Sequence, residues 1–258
     1  MSEQRVVLAV STVIFALRPH PTTGRPTLWL PLVRRIREPY RGQWALPGGP
    51  LQPEDDLATS ARRTLERTTG LDPHYLEQLY AFGAVDRSAC GDGPGSSERV
   101  VSVVYWAIIR PDEAARAVDG DNVEWRVADD VVGRPDGDQP EPLAFDHGTV
   151  LRYALARLRA KIGYSPIAYA FLTDEFTLAA LREVHEAVLQ RPLDPANFRR
   201  QVLASQAVAP TGRHLTGTSH RPPALYRRVV AIPSADPSRV TAPADPTSPT
   251  EPDTEECA

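Results

Sequence analysis

The hydrophobic positions of the first 142 residues fall into short runs that are typical of β-strands. Four runs rich in β-branched residues are separated by connections rich in glycine and proline, namely Val6–Leu17, Thr27–Val33, Tyr75–Val85 and Val100–Ile109. Between the second and third runs, apolar residues recur at helical spacing from Leu57 to Thr68. Asp55 and Asp56 precede this segment and Gly70 follows it, as expected for the two ends of a helix. The pattern predicts a mixed α/β domain with one amphipathic helix.

From residue 147 onward, the hydrophobic spacing is that of helices. Helices are predicted at His147–Ile162, from Ser165-Pro166, along the apolar stripe Phe176–Val188 and at Ala196–Ser205, followed by a strand at Leu225–Val230. Thr173 or Asp174 is the expected cap of the third helix, and Asp194 with Pro195 marks the start of the fourth. Two helices joined by a turn and followed by a β-hairpin form the layout of a winged helix-turn-helix.

Composition divides the chain into three parts. Residues 133–142 are polar and rich in glycine and proline, which marks a domain boundary. We expect an α/β (α+β) domain with a mixed β-sheet and helices at 1–142 and a winged helix-turn-helix domain at 143–232. Residues 233–258 contain six of the 26 prolines and are predicted to be a disordered, acidic tail. The glycine-rich segment 88–97 is predicted to be a mobile loop.

The net charge of −4 hides an uneven distribution. Residues 147–232 carry twelve basic and five acidic side chains, a net charge of +7, whereas residues 1–146 have −6 and residues 233–258 have −5. With 258 residues, 41% hydrophobic and 24% charged, the chain fits a globular protein, and a collagen, a coiled coil and a wholly disordered chain are excluded. The arginine-rich segment is expected to bind a polyanion.

The cysteines and the apolar runs indicate the cellular compartment in which the protein is expected to work. Cys90 and Cys257 form neither a disulfide framework nor a zinc-ligand pattern, and free thiols fit a reducing cytoplasm. The run Val6–Leu17 follows a single arginine and lacks a cleavage site, so it does not resemble a signal peptide. No apolar run reaches the roughly 18 residues that a membrane span needs. We therefore expect a cytoplasmic protein with no membrane partner.

A glycine-rich segment and a helix carry the first recognisable motif. The segment Trp44–Leu51 contains Gly48 and Gly49, and the helix predicted after it is closed by Gly70-Leu71. This arrangement resembles the Nudix family over roughly residues 1–140. Counted from Gly49, Asp55 occupies the position of the family's first glutamate and Arg63 that of its arginine.

The resemblance ends at the positions where the family binds magnesium. Thr64, Arg67 and Thr68 stand in place of the glutamates. Because these positions are i, i+3 and i+4 on a helix, we expect their side chains to converge on one patch that faces the glycine loop. Magnesium requires oxygen ligands, usually carboxylates, whereas an arginine repels a cation and attracts a phosphate. The sequence predicts a domain that binds a nucleoside-diphosphate compound without efficient hydrolysis, with no catalytic residue and no metal.

Two other interpretations of the same region remain open. In one, Glu54, Asp55, Asp56 and Glu66 form a displaced acidic cluster that retains some hydrolase activity. In the other, the domain is a vestigial scaffold that binds no ligand.

Arginines and aromatic residues near the glycine loop are the candidates for holding a nucleotide. Guanidinium groups pair bidentately with pyrophosphate, backbone amides at a helix start bind anions, and aromatic rings stack on adenine. Strand alternation points Arg34 and Arg35 to opposite faces, so we expect at most one of them to touch phosphate. The candidate ligand-binding residues are Arg34, Arg35, Arg37, Tyr40, Trp44, Gly48, Gly49, Arg67 and Arg99.

The helical part carries side chains suited to reading DNA. In the major groove, arginine pairs bidentately with guanine, and asparagine or glutamine with adenine. The last predicted helix exposes such residues, and the hairpin after it is basic, as a DNA-binding wing is. The candidate DNA-binding residues are Arg159, Lys161, Thr177, Asn197, Arg199, Arg200, Gln201, Thr211, Arg213, His214 and Arg221. His185 lies on the apolar stripe and is interpreted as a core histidine.

The combination of the two parts is more specific than either alone. Residues 145–147, 164–168, 171–172 and 191–200 continue the Nudix-like part, and together they resemble the Nudix-related transcriptional regulators of bacterial NAD metabolism, the NrtR family, over about residues 5–231. The resemblance implies a homodimeric repressor of NAD biosynthesis or salvage genes that binds double-stranded operator DNA. It also implies that ADP-ribose or a related nucleotide is the effector that releases the DNA, with no cofactor required.

Two rival functions follow from the same sequence. The first is a Nudix-type pyrophosphohydrolase of ADP-ribose or a nucleotide sugar, in which the C-terminal module closes the active site or supports dimerisation. The second is a DNA-binding protein without an effector. For a sensor, we expect two winged modules to grip successive major-groove segments of a pseudo-palindromic operator, and the metabolite to change their relative orientation.

Overall fold

A mixed β-sheet built around the first strand dominates the computed structural model, which describes residues 5–70, 72–85, 87, 98–114, 122–133, 141–216 and 222–230. Strand β1 (Arg5–Pro19) pairs in parallel with β6 (Glu98–Ile109) and antiparallel with β2 (Pro26–Arg34). The other strands are β3 (Trp44–Ala45) and β7 (Val123–Val127) on β2, β4 (Gly48–Pro50) on β1, and β5 (Tyr75–Phe82) on β6. The four strands predicted from the apolar runs are therefore confirmed.

Helix α1 (Leu57–Thr69) lies against β1 and begins and ends as its sequence predicts. The side chain of Asp56 accepts a hydrogen bond of 2.7 Å from the backbone N–H of Thr59. At the other end, Gly70 adopts a left-handed conformation with φ of 72°, and its N–H donates to the Glu66 carbonyl. Both ends are thus fixed by local chemistry.

The side chains of β1 alternate between two hydrophobic clusters. Val13 and Phe15 belong to a cluster that extends into the C-terminal half of the chain. Ile14 and Ala16 face the other way, into the cluster that contains Leu65 of α1. Because both faces are covered, residues 13–17 of the strand form a continuous apolar run.

The C-terminal half is a helical module with a small sheet. It contains α4 (His147–Ile162), a 3₁₀ helix (Pro166–Phe171), α5 (Leu178–Leu189) and α6 (Pro195–Ala204), after the short helices α2 (Pro111–Ala114) and α3 (Ala128–Val132). Strands β8 (Glu175–Phe176), β9 (Val208–His214) and β10 (Ala224–Arg228) pair in the order β8-β10-β9. Asp194 caps α6 and Pro195 is its first residue, as predicted. This arrangement is the predicted winged helix-turn-helix.

The expected cap of α5 was wrong. Its N-cap is Thr177, whose hydroxyl accepts from the Ala180 N–H at 3.1 Å, and neither Thr173 nor Asp174 has this role. The reason is a long-range pairing, since Glu175 and Phe176 pair with β10 as an edge strand. The chain is therefore extended until residue 176, and the helix begins after it.

The two halves share one hydrophobic core. The cluster that contains Phe15 and Trp106 of the sheet also contains Leu155 of α4 and Leu181 of α5. Helix α4 therefore joins the two halves, and the predicted boundary between 142 and 143 stays a prediction. In the described part of the chain, no helix is both long and apolar enough to cross a membrane.

Three predictions fall on residues outside the described ranges. They are the mobile loop at 88–97, the DNA contact of Arg221, and the disordered tail at 233–258.

Candidate functional site

A cavity of about 420 Å³ lies where the glycine loop meets β1 and β6. Ser11 of β1 and Ser102 of β6 lie in its wall, with their hydroxyl oxygens 3.1 Å apart. Two guanidinium groups and one carboxylate also line it. Its principal polar and aromatic lining residues are Ser11, Ser102, Arg35, Arg87, Glu38, Phe145 and His147, beside Gly48 and Gly49.

Gly48 brings the glycine loop against β1. It pairs with Ser11, and a Cβ at position 48 would lie 2.7 Å from the Val10 carbonyl oxygen. No side chain fits at that distance. At Gly49, by contrast, a Cβ would meet no atom within 4 Å. The first glycine of the pair is therefore required by this close approach, whereas the second leaves open space beside the cavity.

Arg35 is held in the cavity wall by two contacts. Its Nε donates to the Pro39 carbonyl oxygen at 2.7 Å, and its guanidinium carbon lies 4.5 Å from the centre of the Phe145 ring. Partial burial lowers the pKa of Arg35, while the charges of Glu38 and Tyr40 oppose that shift. Arginine keeps its charge at neutral pH, so a fixed cation faces the cavity.

Arg87 supplies the second cation and ties the cavity to α4. Its side chain is only 8% exposed, and Nε and one terminal nitrogen donate to the two carboxylate oxygens of Asp146 at 2.6 and 2.8 Å. Its other terminal nitrogen donates to the Phe82 carbonyl oxygen at 3.2 Å. Asp146 immediately precedes α4, so this bidentate pair connects the ligand cavity to the helix that leads into the winged module.

His147, the first residue of α4, is a buried neutral histidine. Its Nδ1 accepts from the Leu46 N–H at 3.0 Å, and its ring lies 5.3 Å from that of Phe145. Burial lowers the pKa of His147 to about 4; the charge of Asp146 opposes this shift, and the charges of Arg87 and Arg35 add to it. Helix α4 is thereby joined to the residues directly before the glycine loop.

The remaining predicted ligand residues do not line this cavity. Tyr40 lies edge-on to Phe145 at 4.9 Å, so it supports the wall from outside. The ring of Trp44 lies 4.7 Å below the guanidinium of Arg126. Arg34 donates to the Gly42 carbonyl at 3.1 Å, Arg99 donates to that of Gly83 at 2.9 Å, and Arg37 and Arg67 are exposed. Of the two neighbouring arginines, Arg35 is the one that faces the cavity.

The expected convergence of three helix positions is corrected by the structure. Thr64 and Thr68 are buried, and the Thr68 hydroxyl donates to the Thr64 carbonyl at 2.7 Å. Arg67 is exposed, because one residue corresponds to a rotation of about 100° around a helix. The threonines face the protein interior while Arg67 points away from it.

These residues do not fit the magnesium ion that a Nudix fold implies. Asp55 is 3% exposed and forms an ion pair of 2.8 Å with Arg63, while Asp56 is the cap of α1. The motif thus keeps the Asp55–Arg63 ion pair, and these two of the four carboxylates proposed for a displaced cluster, Asp55 and Asp56, have other partners. Within the described residues, no group of three or more His, Cys, Asp or Glu side chains is placed to hold a metal.

The outer face of α6 carries the residues predicted to read DNA. Asn197, Arg199, Arg200 and Gln201 are all exposed. Arg200 donates to the Asn197 side-chain oxygen at 2.7 Å, and Arg199 lies 3.5 Å from the Tyr226 hydroxyl. Phe198 faces inward against His185, with ring centres 5.2 Å apart. Burial lowers the pKa of His185 to about 4, consistent with its interpretation as a core histidine.

The hairpin β9–β10 forms the wing. Arg213 is 71% exposed and pairs with Glu175 at 3.0 Å, and His214 beside it is exposed. The Thr211 hydroxyl donates to the Leu225 carbonyl at 3.0 Å across the hairpin. Arg213 therefore presents a cation at the edge of the module, and Thr211 holds the hairpin together.

Arg159 and Lys161 require a correction. Arg159 pairs with Asp129 and donates to the Val188 carbonyl, and the Lys161 ammonium lies 2.7 Å from a carboxylate oxygen of Glu77. Both bind groups inside the protein and are poorly placed for DNA phosphates. Their ion partners lie 30 and 84 residues away in sequence, so spacing within α4 did not reveal them.

Sequence reasoning missed six of the principal lining residues, namely Ser11, Glu38, Arg87, Ser102, Phe145 and His147. Residues 145–147 were named only among the segments that carry the family resemblance, and not as ligand-binding residues. The signal that was available is the position of Asp146 directly before a predicted helix, where the helix dipole favours a carboxylate, and a carboxylate that is partly buried there needs a cationic partner. Arg87 itself stands in a segment without periodicity, so its role depends on the fold.

Two family models match this chain, one up to the first turns of α4 and the other after that helix. The NUDIX domain model matches residues 9–153, and the model of the NrtR DNA-binding winged helix domain matches residues 168–228. A protein of Acinetobacter baylyi described as the ADPR-responsive transcriptional repressor NtrR is 32% identical over 199 residues, which are 76% of this chain and 74% of that protein.

Solved structures agree with both models. The crystal structure of Shewanella oneidensis NrtR complexed with a 27mer DNA has a TM-score of 0.69 and 31% identity, covering 86% of this chain and 93% of its own. A MutT/nudix family protein from Enterococcus faecalis has a TM-score of 0.66 at 23% identity, covering 88% of each chain, which shows a shared fold alone.

Proposed function

We propose, from the premise that the chain belongs to the NrtR family of Nudix-related transcriptional regulators, that it is a repressor which releases operator DNA when ADP-ribose or a related nucleotide binds its Nudix domain. One observation carries the proposal. The same chain contains a cavity lined by two guanidinium groups and a winged helix-turn-helix, and α4 connects them. The winged module exposes a polar reading face on α6, which consists of Asn197, Arg199, Arg200 and Gln201. Genes of NAD biosynthesis or salvage are the expected targets.

The chemistry of the cavity suits an ADP-ribose-type ligand. A volume of about 420 Å³ lies within the range of small-molecule sites, which is roughly 300 to 1,000 Å³. Arg35 and Arg87 supply forked donors for a pyrophosphate, and the Ser11 and Ser102 hydroxyls can bind ribose oxygens. Glu38 at the rim can accept from a ribose hydroxyl. The ligand is therefore a sugar-containing diphosphate and not a bare phosphate.

The Nudix domain acts as a sensor in this proposal. Efficient hydrolysis in this fold depends on carboxylates that hold magnesium, and positions 64, 67 and 68 offer two hydroxyls and a guanidinium. Asp55 and Asp56 are occupied by Arg63 and by the helix cap, so they do not replace the missing ligands. We propose that the bound nucleotide leaves intact and that no cofactor takes part.

DNA recognition is assigned to α6 and the wing. Asn197, Arg200 and Gln201 are exposed on the helix that follows the turn, which is the one that enters the major groove in winged modules. Arg213 of the wing supplies a phosphate contact. Thr177 caps α5 and leaves its helix N-terminus available to a phosphate. A homodimer would place two such modules on a pseudo-palindromic operator.

The route of coupling runs through the start of α4. Asp146 is held by Arg87 from the cavity, and His147 is held by Leu46 next to the glycine loop. A nucleotide phosphate competes with Asp146 for the donors of Arg87. We propose that this competition shifts the first turn of α4 and with it the winged module, which packs on the same hydrophobic cluster.

The test is a DNA-binding titration with a hydrolysis control. Fluorescence anisotropy measures the affinity of the protein for its own upstream DNA with ADP-ribose, ADP, ribose 5-phosphate and NAD. ADP-ribose should weaken binding 5- to 150-fold, the usual range of such coupling, and should be recovered intact with Mg²⁺ present. Turnover near ~1 per second with Mg²⁺ would establish a hydrolase instead. If no nucleotide changes the DNA affinity, the effector assignment fails.

A further inference from the structure

The chain leaves the winged module beside the helix that reads DNA. The Val229 N–H donates to the Ala207 carbonyl at 2.9 Å, directly after α6. Val230 then lines a cavity of about 520 Å³ together with Asn197 and Gln201 of α6. Residues that follow position 230 in the sequence therefore start next to the reading face.

The surface around this exit is basic. Asp194, the cap of α6, is the acidic residue at its start, and its side chain accepts from the Asn197 N–H at 2.8 Å. The exposed cations of α6 and of the turn before it are Arg191, Arg199 and Arg200, whereas Arg227 and Arg228 of β10 lie beside Glu175 and Asp174. A surface of this charge attracts phosphates, and it attracts carboxylates for the same reason.

Residues 233–258 have the complementary charge. They contain six carboxylate side chains and a single arginine, Arg239. The first carboxylate, Asp236, is six residues beyond Val230, and six extended residues reach roughly 20 Å. Helix α6, with ten residues, is about 15 Å long. The acidic segment can therefore reach every arginine of α6.

We propose that residues 233–258 dock on the arginine face of α6 and compete with DNA for it. The inference rests on the proposed function, because competition matters only if α6 binds DNA. A tethered segment acts at an effective concentration in the millimolar range, so weak ion pairing is enough. The segment lowers affinity for operator and for unrelated DNA by the same factor, because both need the same arginines. It therefore weakens all DNA binding and leaves the ratio of operator to non-specific affinity unchanged.

The first test compares three proteins in DNA-binding assays. They are the full chain, a chain that ends at Ile232, and a full-length variant with Asp236, Asp245 and Asp253 replaced by Asn and Glu251, Glu255 and Glu256 by Gln. In ~50 mM salt, the truncated and amide chains should bind both DNAs about 3- to 10-fold more tightly than the full chain. As salt is raised toward ~200 mM, where DNA binding is still measurable and charges are more strongly screened, the differences among the three affinities should shrink. Circular dichroism confirms that all three are folded.

A second test observes the docking without DNA. The native Cys257 carries a nitroxide spin label in a Cys90→Ser background, and the amide signals of α6 are followed by NMR. Docking predicts broadening at Asn197 and Arg200 that disappears in high salt, on addition of DNA and in the amide variant. Arg25, in the hairpin between β1 and β2, serves as an unaffected reference position.

The outcomes separate this inference from the proposed function. Equal DNA affinities of the full and amide chains in low salt, or absence of salt-sensitive broadening at α6, would overturn the docking. Tighter binding after truncation but not after amide substitution would also overturn it, because the effect would then be steric. If none of the three proteins binds DNA, the proposed function fails, and the NMR experiment still decides whether the segment docks.

Discussion

Arg87 and Asp146, which are 59 residues apart in sequence, form a bidentate ion pair between the ligand cavity and the first turn of α4. The carbonyl oxygen of Asp146 also accepts the first two hydrogen bonds of the helix, from Thr149 at 2.8 Å and Val150 at 3.1 Å. An anion that draws Arg87 into the cavity therefore acts on the residue where α4 begins.

We expect Asp146→Asn to weaken the response to the effector. The amide keeps the size of the side chain but carries no charge, so it competes less strongly with a phosphate for Arg87. ADP-ribose should then bind more tightly, and it should reduce DNA affinity less than in the unmodified protein. Calorimetry measures the first effect and anisotropy the second. Glu124→Gln, which weakens the ion pair of Arg126 away from the cavity, is the control and should change neither.

Substitutions in the glycine pair should have unequal effects. Gly48→Ala places a methyl group 2.7 Å from the Val10 carbonyl oxygen, so the loop must move and the cavity must change shape. ADP-ribose binding should fall by at least tenfold, and the protein should lose about 1 to 3 kcal/mol of stability, as for overpacked sites. Gly49→Ala meets no atom within 4 Å and should keep the stability of the unmodified protein, although its methyl group would stand beside the cavity that Gly49 lines. Equal effects of the two substitutions on stability would contradict the assigned geometry.

Stability should decrease as the pH falls below neutral. Burial lowers the pKa of His147 from 6.5 to about 4 in the folded protein. The unfolded chain therefore takes up a proton first, and this contribution is fully present above pH 6.5 and is lost as the pH falls toward 4. Between pH 7.5 and 5 we expect a loss of about 2 kcal/mol from this histidine, measured by denaturant unfolding.

A matched variant separates His147 from other titrating groups. His147→Asn keeps an acceptor near the Leu46 N–H but does not titrate, so its stability should depend less on pH. Some dependence should remain, since burial shifts the pKa of His185 in the same direction. A variant with the same pH dependence as the unmodified protein would show that His147 is not the group responsible.

Substitutions in the reading face and in the wing should have different effects on DNA binding. Arg200→Ala and Asn197→Ala should relax sequence preference, at about 1 to 3 kcal/mol per lost base contact. Arg213→Ala should weaken binding to all sequences alike and flatten the dependence on salt. Arg25→Ala, in the exposed hairpin between β1 and β2, is the control for a lost surface charge. Competition binding against mutated operators measures these effects, and uniform losses for all three would remove the assigned reading face.

Local signals in the sequence were sufficient for much of the fold. Asp56 and Gly70 fix the ends of α1, and Asp194 with Pro195 fixes the start of α6, because caps depend on residues within one turn. The cap of α5 was predicted wrongly because it depends on the pairing of β8 with β10, whose partners are about 50 residues away.

The candidate sites show the same contrast between features that depend on local spacing and features that depend on partners distant in sequence. The exposed side chains of α6 follow from helical spacing alone. Arg67 was placed in a shared patch because spacing gives proximity along a helix but not which face is buried. Arg159 and Lys161 have partners on other elements, so no local pattern could separate them from DNA contacts. Arg87 belongs to the cavity only because β5 and β6 bring its segment to α4.

The most direct test of the account is reciprocal binding. Isothermal titration calorimetry measures the affinity of ADP-ribose for the protein alone and for the protein saturated with operator DNA. If effector and operator act on one conformational equilibrium, the operator must weaken ADP-ribose binding by the same factor by which ADP-ribose weakens operator binding, between about 5 and 150. Equal affinity of ADP-ribose for the free and the DNA-bound protein would contradict the account.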